Sequence, residues 1–349
     1  LKTAMALMQT GQESKFEKIM TLLAQYHGAQ PDWLTGMADV YRFVKRYDDA
    51  DEYYRLALQY DTWYRPAFEN MIDMHRQLKQ RKKVLALFDT YAHFEKRYPE
   101  ISLLKAVCLV ESDSIEEGIN LFEQHFRQLR GDLTRFTEFI TLLDKKKRQG
   151  EVKQFYHLLL QINRDNPDAL VLAAKFECDL KKFETTLSLA EEALTIEPGC
   201  VSASVQKARA LYGLGKRTEA FAIFEKNLEL DEYNIDNNYY FSRILATEKT
   251  DLRKAVNLAS RAVFDADHDL RTWMNLCYAY YQSGRYDLSR NEANKAIQKF
   301  AEEPEPYFWA GMAMHMEGNE EAKTNLRKAI DLGLKGKLLE TARRTLEKS

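Results

Sequence analysis

The 349-residue sequence contains few of the residues that interrupt helices, only 7 prolines and 14 glycines. No proline-rich or glycine-rich linker divides the chain, so composition marks no boundary between domains. No apolar run approaches the roughly 18 residues that a membrane-spanning helix needs. The formal net charge is −2, and no basic block is longer than Lys145–Arg148, which argues against nucleic acid as a partner.

Patterns that carry chemistry are also missing. The four cysteines form no Cys-x-x-Cys pair, which favours free thiols and a reducing compartment such as the cytoplasm. A periplasmic or membrane-tethered location stays open, because the chain begins at Leu1 inside a helical pattern and we expect a preceding segment. The seven histidines form no His-Glu-x-x-His motif, so we predict no metal site. We also predict no catalytic residue and no cofactor, and therefore a protein that is not an enzyme.

Two features resemble functional sites but are better explained by structure. Residues 213–218 (GLGKRT) do not meet the spacing of a phosphate-binding loop, and no predicted strand precedes them. We interpret both glycines as a turn between helices, since helix C-termini favour Gly in the left-handed conformation. His75 lies on the apolar stripe of a predicted helix, and we interpret it as a packed core residue rather than a ligand.

The segment 270–300 has the clearest pattern in the chain. One face of a first predicted helix carries Trp273, Leu276, Cys277 and Tyr280. Gly284 then marks a turn. One face of a second predicted helix carries Tyr286, Ser289, Ala293 and Ala296. The segment therefore predicts two antiparallel helices, neither of which can bury its apolar face alone.

This pattern recurs along the chain at an interval of 34 residues. Predicted first helices begin near residues 31, 65, 99, 133, 167, 201, 235, 270 and 304, with one extra residue in the turn at 247–250. Residues 1–30 match a partial unit, and residues 337–349 predict an amphipathic helix that caps the array. The units at 65, 99 and 133 keep only the apolar spacing. We interpret them as divergent repeats of one array that spans residues 1–349.

The order of large, small and turn residues in this unit resembles the tetratricopeptide repeat, a family of 34-residue helix pairs. The resemblance implies an all-α fold, an α-solenoid in which about ten antiparallel helix pairs form a right-handed superhelix with a C-terminal capping helix. It also implies a non-catalytic scaffold or adaptor that binds a peptide or protein in its concave groove within a multiprotein assembly. The alternative is a regulatory or partner-selecting arm of a larger enzyme, sensor or export protein whose active or membrane part precedes Leu1. A third interpretation is self-association through the ends of the array.

The resemblance places the first helix of each unit along the groove. Its ninth positions predict a ladder of three cations, Lys175, Arg209 and Arg243. Groove positions around this ladder carry Tyr212, Tyr239, Met274, Tyr278 and Tyr281. Such a strip suits an acidic segment or a C-terminal carboxylate, because Arg binds carboxylates bidentately. The alternative is that these cations pair within the chain, with acids such as Asp179 or Asp236.

The same positions predict a different character elsewhere in the groove. They are acidic at Asp39 and Asp73 and apolar at Leu103, Val107 and Val110. Some relatives bind chaperone C-termini through a clamp that needs Lys at the fifth and Asn at the ninth position of one unit. No unit here has that pair, so we do not predict a chaperone partner.

Overall fold

The computed structural model describes residues 1–27, 30–129 and 132–348. Residues 28–29, 130–131 and 349, which include parts of the predicted partial repeat and of the predicted cap, lie outside the described residues. The described chain contains 22 helices and no strand, which confirms the all-α class. None of these helices combines the length and the apolarity that crossing a membrane requires.

The chain divides into two compact units, Leu1–Ile162 and Asn163–Ser349. The helices of the first unit are α1 (Lys2–Gln9), α2 (Glu13–His27), α3 (Pro31–Phe43), α4 (Tyr47–Tyr60), α5 (Arg65–Gln77), α6 (Arg81–Thr90), α7 (His93–Arg97), α8 (Glu100–Glu111), α9 (Ile115–Phe126), α10 (Leu133–Lys145) and α11 (Gln149–Ile162). Those of the second unit are α12 (Pro167–Asp179), α13 (Phe183–Ile196), α14 (Val201–Gly213), α15 (Arg217–Leu230), α16 (Ile235–Glu248), α17 (Leu252–Asp265), α18 (Leu270–Gln282), α19 (Tyr286–Lys299), α20 (Pro304–Met316), α21 (Ala322–Asp331) and α22 (Gly336–Lys348).

The first helices begin at the positions that the 34-residue interval predicts, except that α8 begins at Glu100, one residue late. In the second unit each first helix packs against its own second helix and against the first helix of the next pair, in the order α12, α14, α16, α18 and α20. The predicted α-solenoid is therefore confirmed. One continuous array over residues 1–349 and the right-handed superhelix stay predictions.

The turn inside each pair is made by a residue with positive φ at nearly constant spacing: Lys45, Lys79, Asp113, Lys147, Lys181, Gly215, Lys249, Gly284 and Gly318. This conformation lets the turn fold back on the end of the first helix. After α12, for example, the Lys182 backbone N–H donates to the Glu177 backbone O at 2.9 Å. Gly adopts this positive-φ conformation freely. In Lys the same conformation is disfavoured by about 1 kcal/mol, because Cβ comes too close to the backbone. The turn is therefore set by the helix pairing and does not depend on Gly.

The second helix of the pair that begins at Arg65 is broken. α6 ends at Thr90, and α7 starts three residues later. Phe94 in α7 is fully buried, and its ring lies 4.6 Å from the ring of Phe68. The break thus turns a large aromatic side chain into the core of the first unit.

Candidate functional site

The predicted strip lies on α12, α14, α16 and α18 of the second unit. Three of its residues line one pocket of about 210 Å³: Tyr239, Arg243 and Met274. Sequence analysis did not single out the other lining residues, which are Leu270, Arg271, Glu305, Trp309 and Leu338. The pocket therefore combines side chains from α16, α18, α20 and α22.

Capping side chains fix the first turns of the helices that carry the pocket. The Asn234 side chain accepts a hydrogen bond from the backbone N–H of Asn237 at 3.0 Å at the start of α16. The Asp269 side chain accepts one from the backbone N–H of Arg271 at 2.9 Å at the start of α18. Such caps satisfy backbone donors that the helix itself leaves unpaired. They hold the helix ends from which Tyr239 and Arg271 reach the pocket.

Arg243 is an exposed cation of the pocket. Its guanidinium carbon lies 4.2 Å from the centre of the Tyr278 ring. The Tyr278 hydroxyl in turn donates to Thr247 Oγ1 at 3.2 Å. Among the residues that the structure describes, no carboxylate forms an ion pair with Arg243. The aromatic face therefore steadies the guanidinium and leaves its N–H groups available to a ligand.

Aromatic rings build the wall next to Arg243. Trp309 is only 7% exposed, and its ring centre lies 5.6 Å from that of Tyr278 and 5.7 Å from that of Tyr281. Burial raises the pKa of Tyr281. Although Tyr278 and Tyr281 do not line the pocket themselves, they support it through Trp309.

The other two charged groups of the pocket differ in how they are paired. Arg271 Nη2 lies 2.6 Å from Asp269 Oδ2, so an ion pair compensates the charge of this guanidinium. The hydrogen bond to Asp269 raises the pKa of Arg271. Glu305 lies in the first turn of α20, and its Oε2 is buried without a hydrogen-bond partner. The pocket thus holds one compensated cation, one free cation and one unsatisfied carboxylate oxygen.

Lys175 and Arg209 are bound within the chain, as the intramolecular alternative predicts. Lys175 Nζ lies 3.4 Å from Asp236 Oδ2. Arg209 Nη2 lies 2.6 Å from Asp179 Oδ1, and only 11% of the Arg209 side chain is exposed. The Arg209 guanidinium carbon also lies 3.7 Å from the centre of the Tyr240 ring. The three predicted cations therefore do not form a ladder of equally free groups, because other first helices supply partners for two of them: α16 for Lys175 and α12 for Arg209.

Tyr212 is also engaged inside the second unit. Its hydroxyl donates to Glu248 Oε1 at 2.8 Å. Burial, followed by this hydrogen bond, raises the pKa of Tyr212 to about 12. Tyr212 therefore supports the contact between α14 and α16 and does not reach the pocket.

The expected acidic and apolar segments of the groove lie in the first unit and are used internally. Asp39 Oδ1 accepts a hydrogen bond from Asn70 Nδ2 at 3.1 Å, and Asp73 pairs with Arg76 at 3.4 Å. The three apolar groove positions predicted on α8 do not face an open groove, because they are fully buried: Leu103, Val107 and Val110. α8 packs against α6, α9 and α10, and a helix that is apolar on every side belongs in a core.

Two family models match the chain. Residues 176–347 match the model described as the Psidin N-terminal TPR repeats region, and residues 34–62 match the model described as tetratricopeptide repeat. No curated protein sequence matches the chain.

Several solved structures resemble the chain at low identity. Yeast Tom70 is 10% identical over 99% of this chain and 95% of its own, with a TM-score of 0.49. YrrB, described as a TPR protein with an unusual peptide-binding site, is 19% identical over 54% of this chain and 97% of its own, with a TM-score of 0.41. MamA from Desulfovibrio magneticus RS-1 is 20% identical over 48% of this chain and 94% of its own, with a TM-score of 0.41.

Both family models describe the same repeat, and they match segments in both units of the chain. Their matches agree with the helix pairs that recur every 34 residues in the structure. The chain belongs to the tetratricopeptide-repeat family.

Proposed function

We propose that the chain is a non-catalytic scaffold that binds a carboxylate-bearing peptide segment of a protein partner at the pocket around Arg243. The observation that carries this proposal is the exposed Arg243 guanidinium, which rests on the Tyr278 ring beside Trp309 and has no carboxylate partner in the described chain. The family match supports a protein-interaction scaffold as the general class of function, and the tetratricopeptide fold is typically non-catalytic.

The size of the pocket favours a peptide end or one side chain over a cofactor. Small-molecule sites usually enclose about 300–1,000 Å³. This pocket encloses about 210 Å³. A carboxylate that pairs with Arg contributes about 1.5–3 kcal/mol, and aromatic contacts add a comparable amount. After the cost of association, a dissociation constant on the order of 100 μM is expected for a short peptide.

Binding of short peptides to the complete chain tests this proposal. The probes are fluorescein-labelled Gly/Ser peptides whose last residue is Glu with a free C-terminal carboxylate. The matched peptides end in Gln with an amidated C-terminus. We expect fluorescence anisotropy to show binding of the acidic peptides only. Arg243→Glu is expected to weaken that binding by about thirtyfold or more, since it replaces attraction with repulsion of the same carboxylate.

A charge-matched control keeps the interpretation specific. Arg253 is exposed on α17, a second helix of the same unit, and does not line the pocket. Arg253→Glu changes the net charge as much as Arg243→Glu does, so it should change peptide affinity by less than about twofold at physiological ionic strength. Equal losses in both variants would reduce the effect to general electrostatics and would contradict a site at Arg243.

A further inference from the structure

The charged groups that line the pocket around Arg243 restrict the ligand more than the Arg243 guanidinium does by itself. Arg271 is compensated by Asp269, and Arg243 and Glu305 carry opposite charges that no ion pair in the described chain neutralises. A ligand that brings only a carboxylate would satisfy Arg243 and leave Glu305 as a repelling charge. The pocket is therefore electrostatically complementary to a ligand that carries both signs.

Glu305 has a carboxylate oxygen that lacks a donor in the part of the chain that the structure describes. The residue is in the first turn of α20, close to the positive end of the helix dipole. Its Oε2 is buried and makes no hydrogen bond within the described chain. A carboxylate with one oxygen buried without a partner is unfavourable, and a cation brought into the pocket that Glu305 lines would offset that cost.

The walls of the pocket suit a cationic donor rather than a neutral one. Trp309 and Met274 line it, and so does Tyr239, whose ring centre already lies 5.5 Å from the Arg271 guanidinium carbon. Aromatic faces attract ammonium and guanidinium groups, and the attraction grows when water is excluded. A Lys or Arg side chain can lay its methylene stem along Leu270 and Leu338 while its charged end reaches a carboxylate.

We propose that the ligand of this pocket is a peptide in which a Lys or Arg side chain stands next to the carboxylate, with Glu305 accepting the cationic group while Arg243 binds the acid. Glu305 is then the residue that selects among acidic peptides. This inference rests on the proposed function, because it assumes that a carboxylate binds at Arg243.

A set of matched peptides tests the proposal on the complete chain. Each fluorescein-labelled Gly/Ser peptide ends in Glu with a free carboxylate and carries one Lys at a varied distance before it. In the matched peptides norleucine replaces Lys, which keeps the four-carbon stem and removes the ammonium group. We expect the best Lys peptide to bind at least about tenfold more tightly than its norleucine match. Glu305→Gln should remove this advantage, and because it also removes a repelling charge, the norleucine peptide should bind the variant at least as tightly as it binds the unaltered chain.

The control and the contradicting outcomes are separable. Glu302 is an exposed carboxylate just before α20 and does not line the pocket, so Glu302→Gln should preserve the Lys advantage. Equal affinity for Lys and norleucine peptides in the unaltered chain, or a Lys advantage that survives Glu305→Gln, would overturn the role of Glu305. The proposed function fails on a different result, namely no binding of any peptide that ends in a free carboxylate. A thermal unfolding curve of Glu305→Gln like that of the unaltered chain establishes that the variant is folded.

Discussion

Arg209→Glu is expected to lower the free energy of unfolding of the second unit by about 3–5 kcal/mol. The Arg209 side chain is 11% exposed and pairs with Asp179 at 2.6 Å. Its guanidinium also lies against the Tyr240 ring, at 3.7 Å. The substitution removes both attractions and places a carboxylate next to Asp179. Thermal unfolding followed by circular dichroism measures the loss.

Arg243→Glu is the matched comparison, since both residues occupy the ninth position of a first helix. Arg243 is exposed, and within the described ranges its one side-chain partner is the Tyr278 ring, so its reversal should cost no more than about 1 kcal/mol. Hydrogen exchange read by mass spectrometry locates the effect, with faster exchange of α14 and α16 in Arg209→Glu alone. If Arg209→Glu leaves the stability unchanged but abolishes binding of acidic peptides, the result would contradict the pairing of Arg209 within the chain. It would support the predicted ladder of free cations instead.

Arg76→Met is expected to destabilise the first unit by about 2–4 kcal/mol at neutral pH. The Arg76 side chain is 15% exposed and lies between three carboxylates. Its Nη2 is 2.8 Å from Glu111 Oε1 and 2.5 Å from Glu138 Oε1. Its Nη1 is 3.4 Å from Asp73 Oδ1. Met fills similar space without charge, so the three carboxylates lose their common partner and repel one another.

The pH dependence of this loss has a defined sign. Burial alone would raise the pKa of Glu138, but the hydrogen bonds from Arg76 and Arg135 outweigh burial and lower it. The stabilisation is therefore fully present above the pKa of an unfolded Glu, about 4.3, and is lost as pH falls through the lower folded pKa. Because protonation also removes the repulsion in Arg76→Met, the difference between the two proteins should be largest near pH 7 and should shrink mainly as pH falls below about 4.3.

An exposed ion pair provides the control for Arg76→Met. Arg127 is 51% exposed and pairs with Glu123 one helical turn away. Arg127→Met should cost no more than about 0.5 kcal/mol at any pH in this range. Denaturant unfolding of all three proteins at several pH values makes the comparison. A loss in Arg76→Met that stays constant with pH would show that the packing of the side chain, and not its charge, stabilises α5 against α8 and α10.

Apolar spacing was sufficient to predict the helix pairs and where they begin. A residue such as Trp273 or Leu276 must face a neighbouring helix wherever the pair lies, so local spacing carries the information. The lysines with positive φ were not predicted, because nothing in the residue type favours that conformation. They follow from pairing of the flanking helices, as at Lys181 with a φ of 60°.

The candidate site could be predicted only in part. The resemblance to the tetratricopeptide repeat implied that Tyr239, Arg243 and Met274 share the groove surface, and the structure brings these three to one pocket. Whether Arg209 is free depends on the rotamer of Asp179 on the preceding first helix, which spacing does not specify. Glu305 was missed because a first-turn Glu is common at helix starts. Only the pocket geometry shows that its Oε2 has no partner in the described chain.

The central claim is that a carboxylate-bearing peptide binds between α16, α18 and α20 of the second unit. The chain has four tryptophans, and only Trp309 lines this pocket. Incorporation of 5-fluorotryptophan gives each tryptophan its own ¹⁹F resonance. The resonance that disappears in Trp309→Phe is assigned to Trp309. Titration with a peptide that ends in a free carboxylate should shift the Trp309 resonance saturably and leave Trp33 and Trp63 of the first unit in place. A Trp309 resonance that stays fixed while the peptide is bound would contradict the account.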